Sequence, residues 1–157
     1  LTNRVAGFGV NTDAADVITS WSGSTTDQYS QVVVGTVASD GGPTIRSDAT
    51  STFYLLDINT TAFRVYKCVS GTFTQLSTIT NAAVATDTIY IEMQGSTIIT
   101  KKNGTTVNTV TSESSIASGK PGIFISGASL IVDNWAAGDF AAAGTYDASH
   151  LCLMGIQ

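Results

Sequence analysis

The sequence predicts an all-β protein, an antiparallel jelly-roll β-sandwich of two curved sheets with about twelve short strands. The clearest support is the stretch 86–111, where Ile89, Ile91 and Met93 alternate with polar residues at the period of two that is typical of a strand. Turn residues recur between such stretches along the chain. No segment keeps a helical period over three turns, so helices are not expected.

The predicted strands follow one another with short connections. Asn103-Gly104 favours a type I′ hairpin turn because both central residues of that turn need a positive φ. Residues 39–43 contain two glycines and a proline, which predicts a turn or an irregular crossing. In 51–59 large apolar residues occupy both faces, so both faces of that strand are expected to be covered. The predicted strands cover residues 1–10, 17–21, 29–37, 44–47, 51–59, 62–69, 73–80, 86–94, 97–102, 105–111, 123–126 and 129–135.

The composition suits one folded domain. Of the 157 residues, 43% are hydrophobic, 12% are charged and two are proline, which is typical of many short strands joined by tight turns. We expect one domain over residues 1–140, followed by a C-terminal tail or assembly segment over 141–157. Cys68 and Cys152 are compatible with one disulfide or with two separate thiols, and the second interpretation is favoured because no strand pattern surrounds Cys152.

The distribution of charged and apolar residues argues against nucleic acid and membranes as partners. The formal net charge is −5, and the seven basic residues are scattered singly except for Lys101-Lys102. A nucleic-acid-binding surface needs clustered Lys and Arg, so no nucleic acid is expected as a partner. No apolar run approaches the ~20 residues that span a bilayer, so we also expect no membrane insertion.

The chain contains, in this order, the segments DQYSQVVV, GGPTIR, FRVYKCVSGTFTQL, DTIYIEMQGSTIITKKNGTTV and SGKPGIFISGASLIVDNWAAGDF. Their order resembles successive strands of the concanavalin A-like lectin/glucanase superfamily. The match lies over about residues 27–140 and is most similar to the laminin-G-like branch, which recurs in bacterial extracellular and phage virion proteins. Its most specific parts are the G-S-T-I-x-x-x-x-N-G-T hairpin and the G-x-P-G-I…D-N strand pair.

The resemblance implies that residues 1–140 form one jelly-roll that lacks the usual first strand. In this branch that strand pairs beside the closing strand, which here contains Asp133-Asn134-Trp135. An open edge there would be an aggregation risk. We therefore expect the tail after Phe140, a cleaved segment or a neighbouring subunit to cover it.

The acidic residues argue against catalysis. The glucanase relatives carry a Glu-x-Asp-x-x-Glu pattern on one strand, which this chain lacks. Glu92 and Glu113 are its only glutamates, and neither has an acidic residue two positions away. A retaining glycosidase needs two carboxyl groups about 5 to 5.5 Å apart. The sequence therefore predicts a protein that is not an enzyme.

A glycan-binding site is predicted from alternation. If Ile89 and Ile91 face the core, Tyr90 and Glu92 face outward, and the same rule turns Arg64 and Tyr66 outward on a neighbouring strand. Aromatic rings that stack on sugars beside charged groups that bind hydroxyls would form such a site. The alternative is ordinary cross-strand pairing on a solvated sheet. The candidate ligand-binding residues are Arg46, Arg64, Tyr66, Tyr90 and Glu92.

The resemblance implies one possible cofactor, a structural calcium ion near the closing strand. Asp133 and Asp139 are the candidate ligands, with Asp40 as a weaker third. Calcium needs six to eight oxygen ligands, and the chain has no dense run of aspartates.

These observations lead to three functional hypotheses. The first is a non-enzymatic structural or adhesion module on a virion surface, such as a capsid decoration or tail-associated protein that packs against copies of itself or other subunits. The second is a secreted glycan-binding module of a larger bacterial protein. The third is a degenerate glycoside hydrolase. The expected location is extracellular or on the virion surface, and surface glycans are possible partners.

Overall fold

A computed structural model describes residues 16–19, 26–37, 40–48, 51–126 and 130–140 of the chain. The predictions for strand 1–10, for Cys152 and for the tail 141–157 lie outside these residues. The described residues form eleven strands: β1 Asp16–Thr19, β2 Gln28–Thr36, β3 Asp40–Ser47, β4 Phe53–Ile58, β5 Phe63–Val69, β6 Thr72–Ile79, β7 Thr88–Gln94, β8 Thr97–Lys102, β9 Thr105–Val110, β10 Lys120–Ser126 and β11 Ile131–Asp139.

The strands form two antiparallel sheets. The six-stranded sheet has the order β1-β10-β3-β4-β5-β6, and the five-stranded sheet has the order β11-β2-β7-β8-β9. The prediction of an all-β sandwich is confirmed, and each predicted strand within the described residues has a counterpart. No helix of the described residues is long and apolar enough to cross a membrane.

The core lies between the sheets and follows the predicted alternation. Ile89, Ile91 and Met93 of β7 are fully buried in it, as are Tyr54 and Leu56 of β4 on the facing sheet. The other face of β4 is also buried, within a second apolar cluster on the outer side of the six-stranded sheet. The prediction that both faces of this strand are covered is thus confirmed.

The predicted Asn-Gly hairpin is present between β8 and β9. Asn103 has a φ of 51° and Gly104 a φ of 81°, and both lie in the left-handed region that a type I′ turn requires. Strands β7, β8 and β9 form a meander, in which β7 pairs with β8 and β8 pairs with β9. Glu92 of β7 lies opposite Ile99 of β8. The meander is therefore three consecutive strands of the five-stranded sheet.

The predicted turn at 39–43 is wrong, because β3 starts at Asp40 and runs through the glycines. Gly41 and Gly42 have φ values of 146° and 153°, which L side chains rarely adopt. A Cβ at Gly42 would lie 2.1 Å from the Leu56 carbonyl oxygen. The glycines thus allow a close approach of backbones within the sheet, and the same residue type that signals a turn also serves this purpose.

The last strand also differs from its prediction, since β11 continues past Trp135 to Asp139. A bulge between Asp133 and Ala136 separates its two paired portions, and Asn134 has a φ of 49°. The small residues after the bulge still pair with β2. A bulge changes the alternation, so the period of two does not reveal this extension.

A buried arginine joins the two sheets at one end of the sandwich. Arg46, near the end of β3, donates hydrogen bonds of 2.8 Å from its guanidinium nitrogens to the carbonyls of Thr26, Gly95 and Ile116. Its backbone N–H donates to the side-chain oxygen of Gln28 at 2.9 Å. Burial lowers the pKa of Arg46 from its usual value. One cation thereby holds together the segment just before β2, the β7–β8 turn and the β9–β10 loop.

We expect Arg46→Lys to lower the free energy of unfolding by about 3 kcal/mol, because one ammonium cannot satisfy three carbonyls in the guanidinium geometry. Urea denaturation measures this loss. Arg64→Lys is the matched control, since Arg64 is partly exposed and makes one 3.3 Å contact with Asp57 that a lysine ammonium can also make, so we expect a loss of about 1 kcal/mol or less. Equal losses in the two variants would contradict the structural role of Arg46.

Candidate functional site

The structure distributes the predicted glycan-binding residues over two opposite faces of the sandwich. Arg64 and Tyr66 lie on the outer face of the six-stranded sheet, because Phe63 and Val65 beside them point into the core. Tyr90 and Glu92 lie on the outer face of the five-stranded sheet. They therefore do not form one site. Alternation along a strand predicts which residues face outward, but it does not assign a strand to a sheet.

Arg46 belongs to neither outer face. It is only 3% exposed, and its guanidinium is bonded to three backbone carbonyls. Its proposed role in contacting a ligand is corrected to a structural one. A positive φ of 50° interrupts the strand geometry at this residue, so the alternation from Ile45 does not apply to it.

The polar groups at Tyr90 and Glu92 are bonded to one another. The Tyr90 hydroxyl donates to the Glu92 carboxylate, and the Lys101 ammonium lies 3.1 Å from the same carboxylate oxygen. Lys101 also lies 4.7 Å from the centroid of the Tyr90 ring, and Tyr29 stacks on that ring at 5.5 Å. Burial, followed by the bond to Glu92, raises the pKa of Tyr90. The polar groups of Tyr90, Glu92 and Lys101 are thus engaged with one another.

The outer face of the six-stranded sheet holds an open cleft of about 360 Å³. One side of it, here called the aromatic wall, consists of Tyr66, Phe73 and Phe124. The other side, here called the acidic end, consists of Asp40, Asp57 and Arg64. An apolar surface beside converging polar groups is the usual composition of a small-molecule site.

Strand register explains why these side chains meet. Asp57 of β4 lies opposite Arg64 of β5, and Leu55 lies opposite Tyr66. The side chains of each pair can therefore contact one another on the outer face. On the other side of β4, strand β3 contributes Asp40, which lies 3.9 Å from the Arg64 guanidinium. The acidic end therefore depends on three adjacent strands, β3, β4 and β5, while β6 and β10 contribute Phe73 and Phe124 to the aromatic wall.

The aromatic wall is built around an exposed phenylalanine. Phe73 is 46% exposed, an unusually large fraction for such a side chain. Its ring centroid lies 5.8 Å from those of Phe53 and Phe124 and 6.1 Å from that of Tyr66. Neighbouring rings thus hold Phe73 in place while part of it remains open to a ligand.

The acidic end contains a buried carboxylate. The Asp57 side chain is 4% exposed; one oxygen accepts from the Gly41 N–H at 2.8 Å and the other lies 3.3 Å from the Arg64 guanidinium. Burial, followed by repulsion from Asp40, raises the pKa of Asp57 to about 6, although Gly41 and Arg64 both act to lower it. A carboxyl group with a raised pKa in a cleft is typical of functional sites.

The sequence patterns predict neither Asp57 nor Phe73 as a site residue. A signal for Asp57 exists, because it is the single charged residue of the strand FYLLDI and both faces of that strand were predicted to be covered. A carboxylate in such a strand must be paired or have a shifted pKa. Phe73 gives no comparable signal, since an alternating strand contains aromatic residues on either face.

The predicted calcium ligands lie too far apart to share an ion. Asp133 pairs with Val33 and Asp139 pairs with Gln28, so they are separated by five residues of β2, or about 17 Å. Asp40 lies in the other sheet. Among the residues that the structure describes, no group of three or more His, Cys, Asp or Glu side chains is placed to hold a metal. The register of β11 on β2 thus does not bring Asp133 and Asp139 together, and a structural calcium ion stays a prediction from the resemblance.

The prediction of two separate thiols can be compared with the structure at Cys68, because Cys152 lies outside the described residues. Cys68 is a buried free cysteine in the apolar cluster beneath the aromatic wall. Burial raises the pKa of its thiol. Its environment is that of a small apolar side chain.

We expect the Asp57 carboxyl to titrate near pH 6, as followed by NMR of its side-chain carboxyl carbon. Asp40→Asn removes a nearby negative charge and should lower this pKa. A wild-type pKa of about 4, or no response to Asp40→Asn, would contradict the geometry of the acidic end.

The raised pKa of Asp57 also sets the sign of a stability effect. The folded state binds the Asp57 proton more tightly than the unfolded chain does. The protonated carboxyl therefore stabilises the folded state below about pH 4, and this stabilisation is lost as the pH rises through about 6. Relative to Asp57→Asn, the wild type should lose up to about 3 kcal/mol of unfolding free energy between pH 4 and pH 7. Urea denaturation of both proteins across this pH range measures the difference. Unfolding free energies that change in parallel with pH in the two proteins would contradict the raised pKa of Asp57.

Comparisons with known proteins agree with the observed fold. No protein-family model and no curated protein matches the chain. The carbohydrate binding module CBM66 from Bacillus subtilis is structurally similar, with a TM-score of 0.71, 16% sequence identity and coverage of 88% of this chain and 94% of that chain. The galectin LEC-6 from Caenorhabditis elegans has a TM-score of 0.59 and 14% identity, over 82% of this chain and 94% of that chain.

A Bacillus licheniformis β-glucanase is also similar, with a TM-score of 0.52 and 14% identity, over 76% of this chain and 69% of that chain. At these identities the similarity concerns the fold. The expected resemblance is confirmed at that level, and the chain has the concanavalin A-like jelly-roll fold of lectins and glucanases.

Proposed function

We propose that this domain binds a glycan in the cleft on the outer face of the six-stranded sheet. The observation that carries the proposal is the position of the exposed aromatic wall directly beside the acidic end. The structural similarity to a carbohydrate binding module and to galectins supports it, because those proteins show that this fold is used for sugar recognition.

The two sides of the cleft match the two kinds of surface on a sugar ring. The apolar C–H face of the ring can pack on Phe73 and Tyr66, which bury large area at low conformational cost. Hydroxyl groups at the ring edge can donate to Asp40 and accept from Arg64. The cavity of about 360 Å³ lies at the small end of the range for ligand pockets, which suits a short glycan segment.

Hydrolysis is less well supported than binding, although the cleft contains two carboxyl groups. The Asp57 side chain is 4% exposed, and both of its oxygens already interact with protein groups. A general acid must reach the glycosidic oxygen within hydrogen-bond distance. We therefore propose binding without turnover as the function of the acidic end.

A structural role on a virion or other extracellular surface is the second candidate. The observation that favours it is the edge strand β11, which pairs on one side with β2 and has no partner strand on its other side among the described residues. An uncovered edge is suited to pair with another chain. A glycan-binding cleft on the opposite sheet is compatible with such an assembly.

The central test of the glycan proposal is Phe73→Ala, screened on a glycan array and then titrated by calorimetry with the best-binding oligosaccharide. We expect a loss of affinity of about tenfold or more, because stacking of a sugar on an exposed ring contributes on the order of 1.5 kcal/mol.

Ile131→Ala is the matched control, since Ile131 is 45% exposed and lies on β11 of the opposite sheet. Its affinity for the oligosaccharide should equal that of the wild type. Equal affinities in wild type, Phe73→Ala and Ile131→Ala, or no binding to any glycan, would refute binding in this cleft. Release of reducing sugar that Asp57→Asn abolishes would instead establish hydrolysis.

A further inference from the structure

We propose that the cleft selects neutral, hydroxyl-rich sugars and rejects anionic ones such as uronic acids. This inference rests on the proposed function and specifies its ligand class. The observation that carries it is the charge arrangement at the acidic end, where two carboxylates flank a single guanidinium.

The distances show that Arg64 is shared between the two carboxylates. Its Nη1 atom lies 3.3 Å from Asp57 Oδ2 and 3.9 Å from Asp40 Oδ1. The described residues that line the cleft include no other charged side chain. The acidic end therefore has one more negative than positive charge, in a protein whose formal net charge is −5.

Arg64 is not arranged as a receptor for a ligand carboxylate. A strong arginine–carboxylate contact uses two parallel N–H donors, and one side of this guanidinium is already directed at Asp57. An incoming carboxylate would also approach Asp40 and Asp57. The Asp57 carboxylate is almost completely removed from water, so solvent screens its repulsion poorly.

A sugar hydroxyl meets no such penalty. It can donate to a carboxylate oxygen and accept from a guanidinium N–H at the same time. Among the described residues, no hydrogen bond engages Nε or Nη2 of Arg64, so these atoms remain available as donors. Asp40, with a side chain that is 59% exposed, offers acceptor oxygens at the rim. Two neighbouring hydroxyls of a neutral ring match this donor and acceptor pair.

The pH provides an independent check of the same charge balance. The groups that face Asp57 are Asp40 and the Gly41 N–H of β3 and Arg64 of β5. Protonation of Asp57 leaves Arg64 and Asp40 as a balanced pair. Because burial raises the pKa of Asp57 to about 6, rejection of anionic sugars should weaken as the pH falls below that value.

The experiment compares matched ligands, such as a galactose oligosaccharide and the galacturonic acid oligosaccharide of the same length, across several sugar configurations. Calorimetry at low salt and pH 7.5 should give at least about tenfold weaker binding for the uronic acid member of any pair that binds. The ratio of the affinity for the neutral sugar to that for the uronic acid should decrease at high salt and at pH 5. Asp40→Asn should narrow the ratio of neutral to anionic affinity, whatever its effect on the neutral sugar.

Asp133→Asn is the matched control, because it removes the same charge from an exposed position on β11 of the other sheet. Its affinity ratio should equal that of the wild type. Equal or tighter binding of the uronic acids, with a loss of both ligands in Phe73→Ala, would overturn the selectivity while leaving the glycan-binding function intact. Failure of Phe73→Ala to weaken any bound sugar would overturn the function itself.

Discussion

The burial of the Arg46 guanidinium is the interaction on which the rest of the sandwich depends. A buried cation is costly unless its N–H groups are bonded, and here three carbonyls from the segment just before β2, the β7–β8 turn and the β9–β10 loop supply those bonds. Because two of these segments belong to the five-stranded sheet and Arg46 to the six-stranded sheet, the bonds fix how the two sheets are placed at this end. Large apolar side chains then fill the space between them.

The cleft of the six-stranded sheet lies at the other end of the same strand. β3 begins at Asp40, and the Gly41 N–H donates to Asp57 at 2.8 Å. Gly42 allows the β3 backbone to approach the Leu56 carbonyl so closely that a side chain would not fit. Strand β3 therefore provides the structural cation Arg46 at one end and the carboxylate of Asp40 at the other. Its glycines bring the backbone next to Asp40 close to β4.

Much of the fold was predictable from the sequence, whereas only part of the candidate site was. Alternation identified the inward residues of β7 and the two-sided burial of β4 because each depends on neighbouring residues alone. Arg64 and Tyr66 were selected for the same reason and lie in the cleft. Tyr90 was selected by the same rule and lies on the opposite face, because the rule contains no information about which sheet a strand joins.

The sequence by itself determined the strand pattern, the turn at Asn103-Gly104 and the low content of clustered charge, all of which follow from local spacing and composition. Only the tertiary structure decided that Arg46 is buried, that Asp57 has a raised pKa and that an exposed Phe73 lines the same cleft as Asp57. These properties arise from contacts between strands that are distant along the chain. Burial and electrostatics act through space, and for that reason the charge balance of the cleft became visible only in three dimensions.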